Sequence, residues 1–173
     1  MTEKAIKILQ KEENGFFLMV EAGRIDHAHH DGFAGNALID TVAFEKAVAK
    51  AMELTNQEDT LVIVTADHSH VMTIGGYPSR GNPILGLYDL DIGSDGLPYT
   101  TIAYANGPGG EEEQKSYNAT GRRRNLTNTD TQTPTFFQSA IVPIGSETHG
   151  GEDVAIYANG PMSHLFHGVH EQH

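Results

Sequence analysis

The 173-residue chain reads as an α/β protein built on a mainly parallel sheet. Two continuously apolar runs and an amphipathic helix between them carry that reading. The first run, Phe16 to Val20 in "GFFLMVEAG", shows no polar alternation, which suits a strand buried on both faces. The second, Thr60 to Thr65 in "TLVIVTADH", is rich in β-branched residues. Between them Ala37, Thr41, Phe44, Val48 and Ala51 recur at three- and four-residue steps, the spacing of one helix face. Glu45 and Lys46 lie off that stripe, and Thr55-Asn56 ends it. Strand, helix, strand is a βαβ unit, for which a right-handed crossover is expected. "DVAIYANGP", from Asp153, adds a third strand, and "MTEKAIKILQKEENG" reads as an opening helix with Ala5, Ile8 and Leu9 on one face.

The bulk composition narrows what such a domain can do. The length suffices for one domain with a sizeable core. Eleven Lys+Arg against 23 Asp+Glu give a net charge of -12, which argues against nucleic-acid and anionic-membrane partners. An anionic substrate stays open, because a bound metal ion inverts the sign of a local site. There is no Cys, so any metal must be held by His, Asp and Glu. No apolar run approaches the roughly 20 residues that span a bilayer, and the charged N-terminus is not a signal peptide. Both chain ends read as cut.

Residues from about Gly75 to Ser146 differ in character, being rich in Gly, Pro, Asn, Ser and Thr with short strand-like pieces such as "YTTIAYANG". This stretch reads as an insertion from the rim of the sheet. It holds two N-glycosylation patterns, Asn118-Ala119-Thr120 and Asn125-Leu126-Thr127, which hint at secretion. "AYANGP" at 103–108 and "IYANGP" at 156–161 are too short to be a repeat, and two strands ending in similar turns would explain the echo.

In open α/β sheets ligands collect beyond the carboxyl ends of the strands, and three distant places deliver metal-capable residues there. The first run leads into Glu21, Arg24, Asp26 and His30, the second into Asp67 and His68, and "SETHGGED" brings His149 just before the third. Asp26 and His30, four apart, share a helix face. Imidazole and carboxylate with an open position is the pattern of catalytic zinc. Adjacent Asp67 and His68 can reach one ion from an irregular turn, and Glu21 is an oxygen ligand suited to magnesium. Structural hydrogen bonding is the alternative for His27, His29 and His70, and a helix-capping turn the alternative for Asp67-His68. The tail histidines His164, His167, His170 and His173 read as a solvated helix edge, not a metal site.

"FFLMVEAGRIDHAHHDG", "TLVIVTADHSHV", "GGYPSRG" and "ETHGGEDVAIYANGP" closely resemble the animal alkaline phosphatases, in order and nearly end to end. The resemblance implies a C-terminal fragment of such an enzyme: a partial three-layer sandwich in which 1–74 and 147–173 belong to the core and 75–146 is the family's crown-like insertion. It implies phosphomonoester hydrolysis at a two-zinc, one-magnesium centre, by in-line attack of a serine and hydrolysis of the phosphoserine. Asp26, His30 and His149 then match the first zinc, Asp67 and His68 the second, Glu21 the magnesium, and His27 a neighbouring histidine. No Asp-Ser-Ala type triplet occurs, so the nucleophilic serine is absent from this chain. The resemblance further implies a phosphate monoester substrate, a homodimer through the crown, no nucleic-acid partner, and an extracellular or cell-surface location with a GPI anchor as one option for the full-length protein. The competing reading is a non-catalytic metal-binding or dimerisation fragment; a related sulfatase or phosphomutase ranks below both. An isolated chain that exposes Phe16 to Val20 and Thr60 to Thr65 is expected to be poorly soluble.

Overall fold

The structure is a computed structural model and describes residues 1–171. It forms two compact units: Met1–Ala22, Val42–Ser69 and the chain from Glu152 make one, and Gly23–Thr41 with His70–Gly151 make the other.

In the first unit the expected opening helix is α1, Thr2–Leu9. Its inward face is set by Ile6, buried at 2 % exposure, with Ala5 and Leu9 half-buried, whereas Ile8 points outward. Strand β1, Val62–Val64, lies inside the second apolar run and pairs antiparallel with the later strand Tyr157–Asn159, in the register Val62↔Asn159 and Val64↔Tyr157. The first apolar run, by contrast, carries no strand: residues 16–20 have no ladder, and Phe17 and Met19 are exposed. Apolarity alone does not close a ladder, because a strand also needs backbone partners on its edges. The expected βαβ unit between the two runs is therefore not formed.

The second unit opens with α2, Arg24–His30, and the start of α3, Ala34–Leu54. Helix α3 is the amphipathic helix of the sequence: Ala37 is buried, Phe44, Val48 and Ala51 are half-buried, and it stops just before Thr55-Asn56. Next come the short β2, Ser69–His70, then β3, Met72–Ile74, and β4, Ile102–Gly107. After α4, Pro108–Thr120, follow β5, Ala140–Pro143, and β6, His149–Gly150, and then, in the first unit, β7, Tyr157–Asn159, and the 3-10 turn Ser163–Leu165.

Strand β4 is central to a three-stranded sheet, antiparallel to β3 and parallel to β5. Its alternate residues Ile102 and Tyr104 are fully enclosed and form the core with Ala34 and Ala140, backed by Leu38, Met72 and Leu85. Each such large side chain contributes roughly 1.5–3 kcal/mol of burial. The described strands pair in three small sheets, β1 with β7, β2 with β6, and β3–β4–β5, in the last of which β4 and β5 run parallel. The α/β class stands as read from the sequence.

Helix α4 lies within the stretch read as an irregular insertion. Its boundaries carry ordinary signals, Pro108 at the first turn and Gly121 in a left-handed C-cap at φ 71°. The "YANGP" echo has the expected cause: β4 ends at Gly107 with φ 130°, and β7 is followed by Gly160 with φ 113°. Among the described residues no helix is long and apolar enough to cross a membrane.

Candidate metal centre

Helix α2 places Asp26 and His30 one turn apart on the same face, with His30 Nε2 3.3 Å from Asp26 Oδ1. Two elements distant in sequence meet that face within the second unit. His70 brings its Nε2 to 3.1 Å of the same Oδ1, and His149 brings its Nε2 to 3.4 Å. The His30 and His149 Nε2 atoms are 3.1 Å apart. The segments carrying them are tied together by the Val71 N–H donating to the Thr148 carbonyl, and by Asn106, whose side chain bonds the Thr148 hydroxyl at 2.9 Å and accepts from its N–H at 3.0 Å.

Glu147 organises the cluster from behind. It is 1 % exposed. Its backbone carbonyl accepts from His30 Nδ1 at 2.5 Å, and its N–H donates to the His30 carbonyl at 2.9 Å. Its carboxylate faces His70 Nδ1 at 2.7 Å and accepts the Val71 N–H at 2.8 Å. A carbonyl only accepts, so Nδ1 of His30 carries the proton and its Nε2 presents a lone pair. A ring whose outer nitrogen donates to a carbonyl or carboxylate is the usual posture of a metal-ligating histidine.

His29 projects the other way. It is buried, its Nδ1 is 2.8 Å from the Tyr104 hydroxyl, and its ring stacks on His70 with centroids 4.5 Å apart. Burial first, then the neighbouring His70, push its pKa down to about 4, so near neutrality it supports the His70 ring as an uncharged group. Burial and then Glu147 raise that of the Tyr104 hydroxyl, which stays protonated.

The donor set itself tests whether an ion fits. A tetrahedral ion bonded at about 2.0–2.1 Å holds its ligand atoms about 3.3 Å from one another. Every distance given above among Asp26 Oδ1 and the three Nε2 atoms lies between 3.1 and 3.4 Å. Nitrogen and carboxylate oxygen without thiolate suit zinc and other borderline divalent ions. The site shades from a half-buried Asp26 to a largely exposed His149, leaving a solvent side.

Of the residues expected to bind metal, Asp26, His30 and His149 are thus brought together. His70, weighed in the sequence as a hydrogen-bonding residue, joins them, and Glu147 was not anticipated. Glu21, Asp67 and His68 belong to the first unit. There His68 Nε2 is 3.3 Å from Asp67 Oδ2, and the neighbouring Ser69 hydroxyl donates to Glu152 at 2.6 Å. His27 lies on the exposed side of α2, 3.5 Å from the Arg24 guanidinium. In the tail, His164 sits in a single 3-10 turn and His170 contacts the His167 carbonyl, so the expected helix edge does not form there; His173 lies outside the described residues.

The clustered imidazoles and carboxylates on this mixed α/β frame form a candidate metal site. The model of the family described as alkaline phosphatase matches residues 1–173, and the chain belongs to that family. It is 50 % identical over 172 residues to an alkaline phosphatase of Gadus morhua, covering 99 % of this chain and 35 % of that protein. Against the tissue-nonspecific isozymes of Rattus norvegicus and Homo sapiens it is 50 % identical, again covering 99 % of this chain and 32 % of each relative. The chain therefore spans about a third of the length of the curated relatives it matches.

Proposed function

We infer that this chain supplies a zinc site to phosphomonoester hydrolysis carried out by a protein of the relatives' full length. The observation that carries the reading is the convergence of Asp26 Oδ1 with the Nε2 atoms of His30 and His149 at tetrahedral spacing. Asp26, His30 and His149 would hold the first zinc, with His70 closing on the same carboxylate oxygen. Asp67 and His68 would serve a second zinc and Glu21 a magnesium. When bound, such ions neutralise charge on the phosphoryl group and on the oxygens entering and leaving it.

The protein's own contribution is positioning. Glu147 fixes the His30 tautomer, and neutral His29 packs behind His70 so that rings and carboxylate keep one arrangement. Ligation needs neutral imidazoles and an ionised carboxylate, so activity is expected to rise toward alkaline pH. The nucleophile must come from outside these residues, since no Asp-Ser-Ala type triplet is present. A homodimer and an extracellular or cell-surface location belong to the same reading.

A second reading, metal binding without turnover, is favoured for the chain by itself because that triplet is missing. One experiment separates them: zinc content and hydrolysis of a chromogenic phosphomonoester, with zinc and magnesium added, for the chain and for the protein encoded by its parent gene. Zinc in both with turnover by the longer protein alone is expected, with loss of at least about 100-fold on Asp26→Ala in the longer protein. Turnover by the longer protein that survives Asp26→Ala and His149→Ala would overturn the assignment.

A further inference from the structure

We propose that Asn106 is a positioning residue for the metal site: its carboxamide clamps Thr148 and so sets where the adjoining His149 ring presents its Nε2. This rests on the reading of Asp26, His30 and His149 as ligands of one ion, and adds to it the group that holds the third of them in place.

His149 is the most exposed of the three, its side chain 48 % open to solvent. Asp26 and His30 share one helix, and the Glu147 carbonyl fixes the His30 ring through its Nδ1. His149 sits instead on a two-residue strand, next to an exposed Thr148. Packing restrains such a ring little, so its place depends on the backbone that carries it. Ligand geometry good to about 0.5 Å needs hydrogen bonds from a surrounding shell.

One side chain pins that backbone. Asn106 Oδ1 accepts the Thr148 N–H at 3.0 Å, and Asn106 Nδ2 donates to the Thr148 hydroxyl at 2.9 Å. Two bonds from one planar group fix direction as well as distance. Strand β4 gives the clamp a rigid base. Ile102, Tyr104 and Asn106 are alternate residues and share one face of the strand. Ile102 is fully enclosed, Tyr104 turns its hydroxyl to His29, and Asn106 ends the row at Thr148. Asn106 also stands in the ladder opposite Val142 of β5, which holds its own backbone. The polar end of a core-facing row thus reaches out to the one ligand that the core does not enclose.

Three substitutions separate this role from general support. Asn106→Leu keeps the volume and meets neither Thr148 group. Asn106→Asp accepts from both the N–H and the hydroxyl, so it preserves the clamp. Thr148→Val keeps the branched shape and the N–H bond but removes the hydroxyl.

The test uses the 173-residue chain, with zinc affinity measured by equilibrium dialysis and site geometry by the visible absorption of bound cobalt(II), which is far stronger for a tetrahedral than for an octahedral ion. Asn106→Leu is expected to weaken zinc by about 10- to 100-fold and to lower the cobalt band intensity. Asn106→Asp is expected to restore the parent spectrum. Thr148→Val is expected to move both readouts in the same direction by less, and it decides the matter if Asn106→Leu does not fold. Urea unfolding of the metal-free variants follows stability separately. A fall in stability with affinity and cobalt spectrum unchanged would overturn the proposal, as would an Asn106→Asp spectrum no nearer the parent than that of Asn106→Leu. Asp26→Ala tells the two levels apart. If the parent binds no zinc, or binding survives Asp26→Ala, the ligand reading falls and this inference with it. If Asp26→Ala weakens zinc while Asn106→Leu changes neither readout, only the role of Asn106 falls.

Discussion

Replacing Gly109 by alanine separates what local preference says from what packing says. Gly109 is in the first turn of α4, and a helix by itself gains up to about 1 kcal/mol from Gly→Ala. The structure gives the opposite sign. A Cβ built on Gly109 would sit 1.6 Å from the Gln138 carbonyl oxygen, against a floor of 3.0 Å for real contacts. The neighbour is backbone just ahead of β5, so it cannot swing aside, and the start of α4 must retreat. Retreat opens the bonds by which Glu113 holds the Ser139 hydroxyl at 2.7 Å and the Arg124 guanidinium at 2.9 Å. Overpacking together with these losses comes to about 3 kcal/mol or more. For a chain of this size that lowers the melting temperature by about 6–12 °C. Thermal and urea unfolding followed by circular dichroism measure it. Gly76→Ala, where an added Cβ meets nothing within 4 Å, serves as control and is expected to stay within about 0.5 kcal/mol. A Gly109→Ala protein as stable as the parent would refute the close packing of α4 on β5.

Tyr104→Phe removes the hydroxyl that meets buried His29 and leaves that ring nitrogen unsatisfied, which should cost about 1–3 kcal/mol in urea unfolding. The Glu113 carboxyl gives a pH dependence. Burial favours its neutral form, but the Arg124 N–H, the Ser139 hydroxyl and the Arg124 guanidinium outweigh burial and lower its pKa. The unfolded chain therefore takes up that proton first on acidification, so its stabilisation is complete above the ordinary carboxylate range and is lost as pH falls through the folded value. Glu113→Gln should flatten the decline in stability between about pH 5 and about pH 2. Chelating the proposed zinc should lower the unfolding temperature, by the equivalent of about 2.7 kcal/mol if the free ion had been at 100 times its Kd.

The candidate metal site was legible in the sequence where chemistry and periodicity coincide. Asp26 and His30 are four residues apart in a helical stretch, and that spacing alone puts them on one face. His149 was flagged by its place before a strand. Glu147 escaped because its role is indirect: it acts through a buried carboxylate and its own backbone, and only its position two residues before His149 hinted at it. His70 was weighed only as a hydrogen-bonding residue, because no local spacing ties it to Asp26 and only the fold brings the two to 3.1 Å. The fold was less legible. Phe16 to Val20 announces burial, but pairing depends on partners that local composition does not name. Helix α4 lacks an apolar stripe because its first turn packs through the bare backbone of Gly109 and Gly110, so only Pro108 and Gly121 marked its limits.

Equilibrium dialysis of zinc against the chain and its Asp26→Ala, His30→Ala and His149→Ala variants bears most directly on the metal centre. A tight site that each of the three substitutions weakens by at least about 100-fold is expected. Zinc retained with unchanged affinity after any one of these replacements would contradict the shared coordination of a single ion by these side chains.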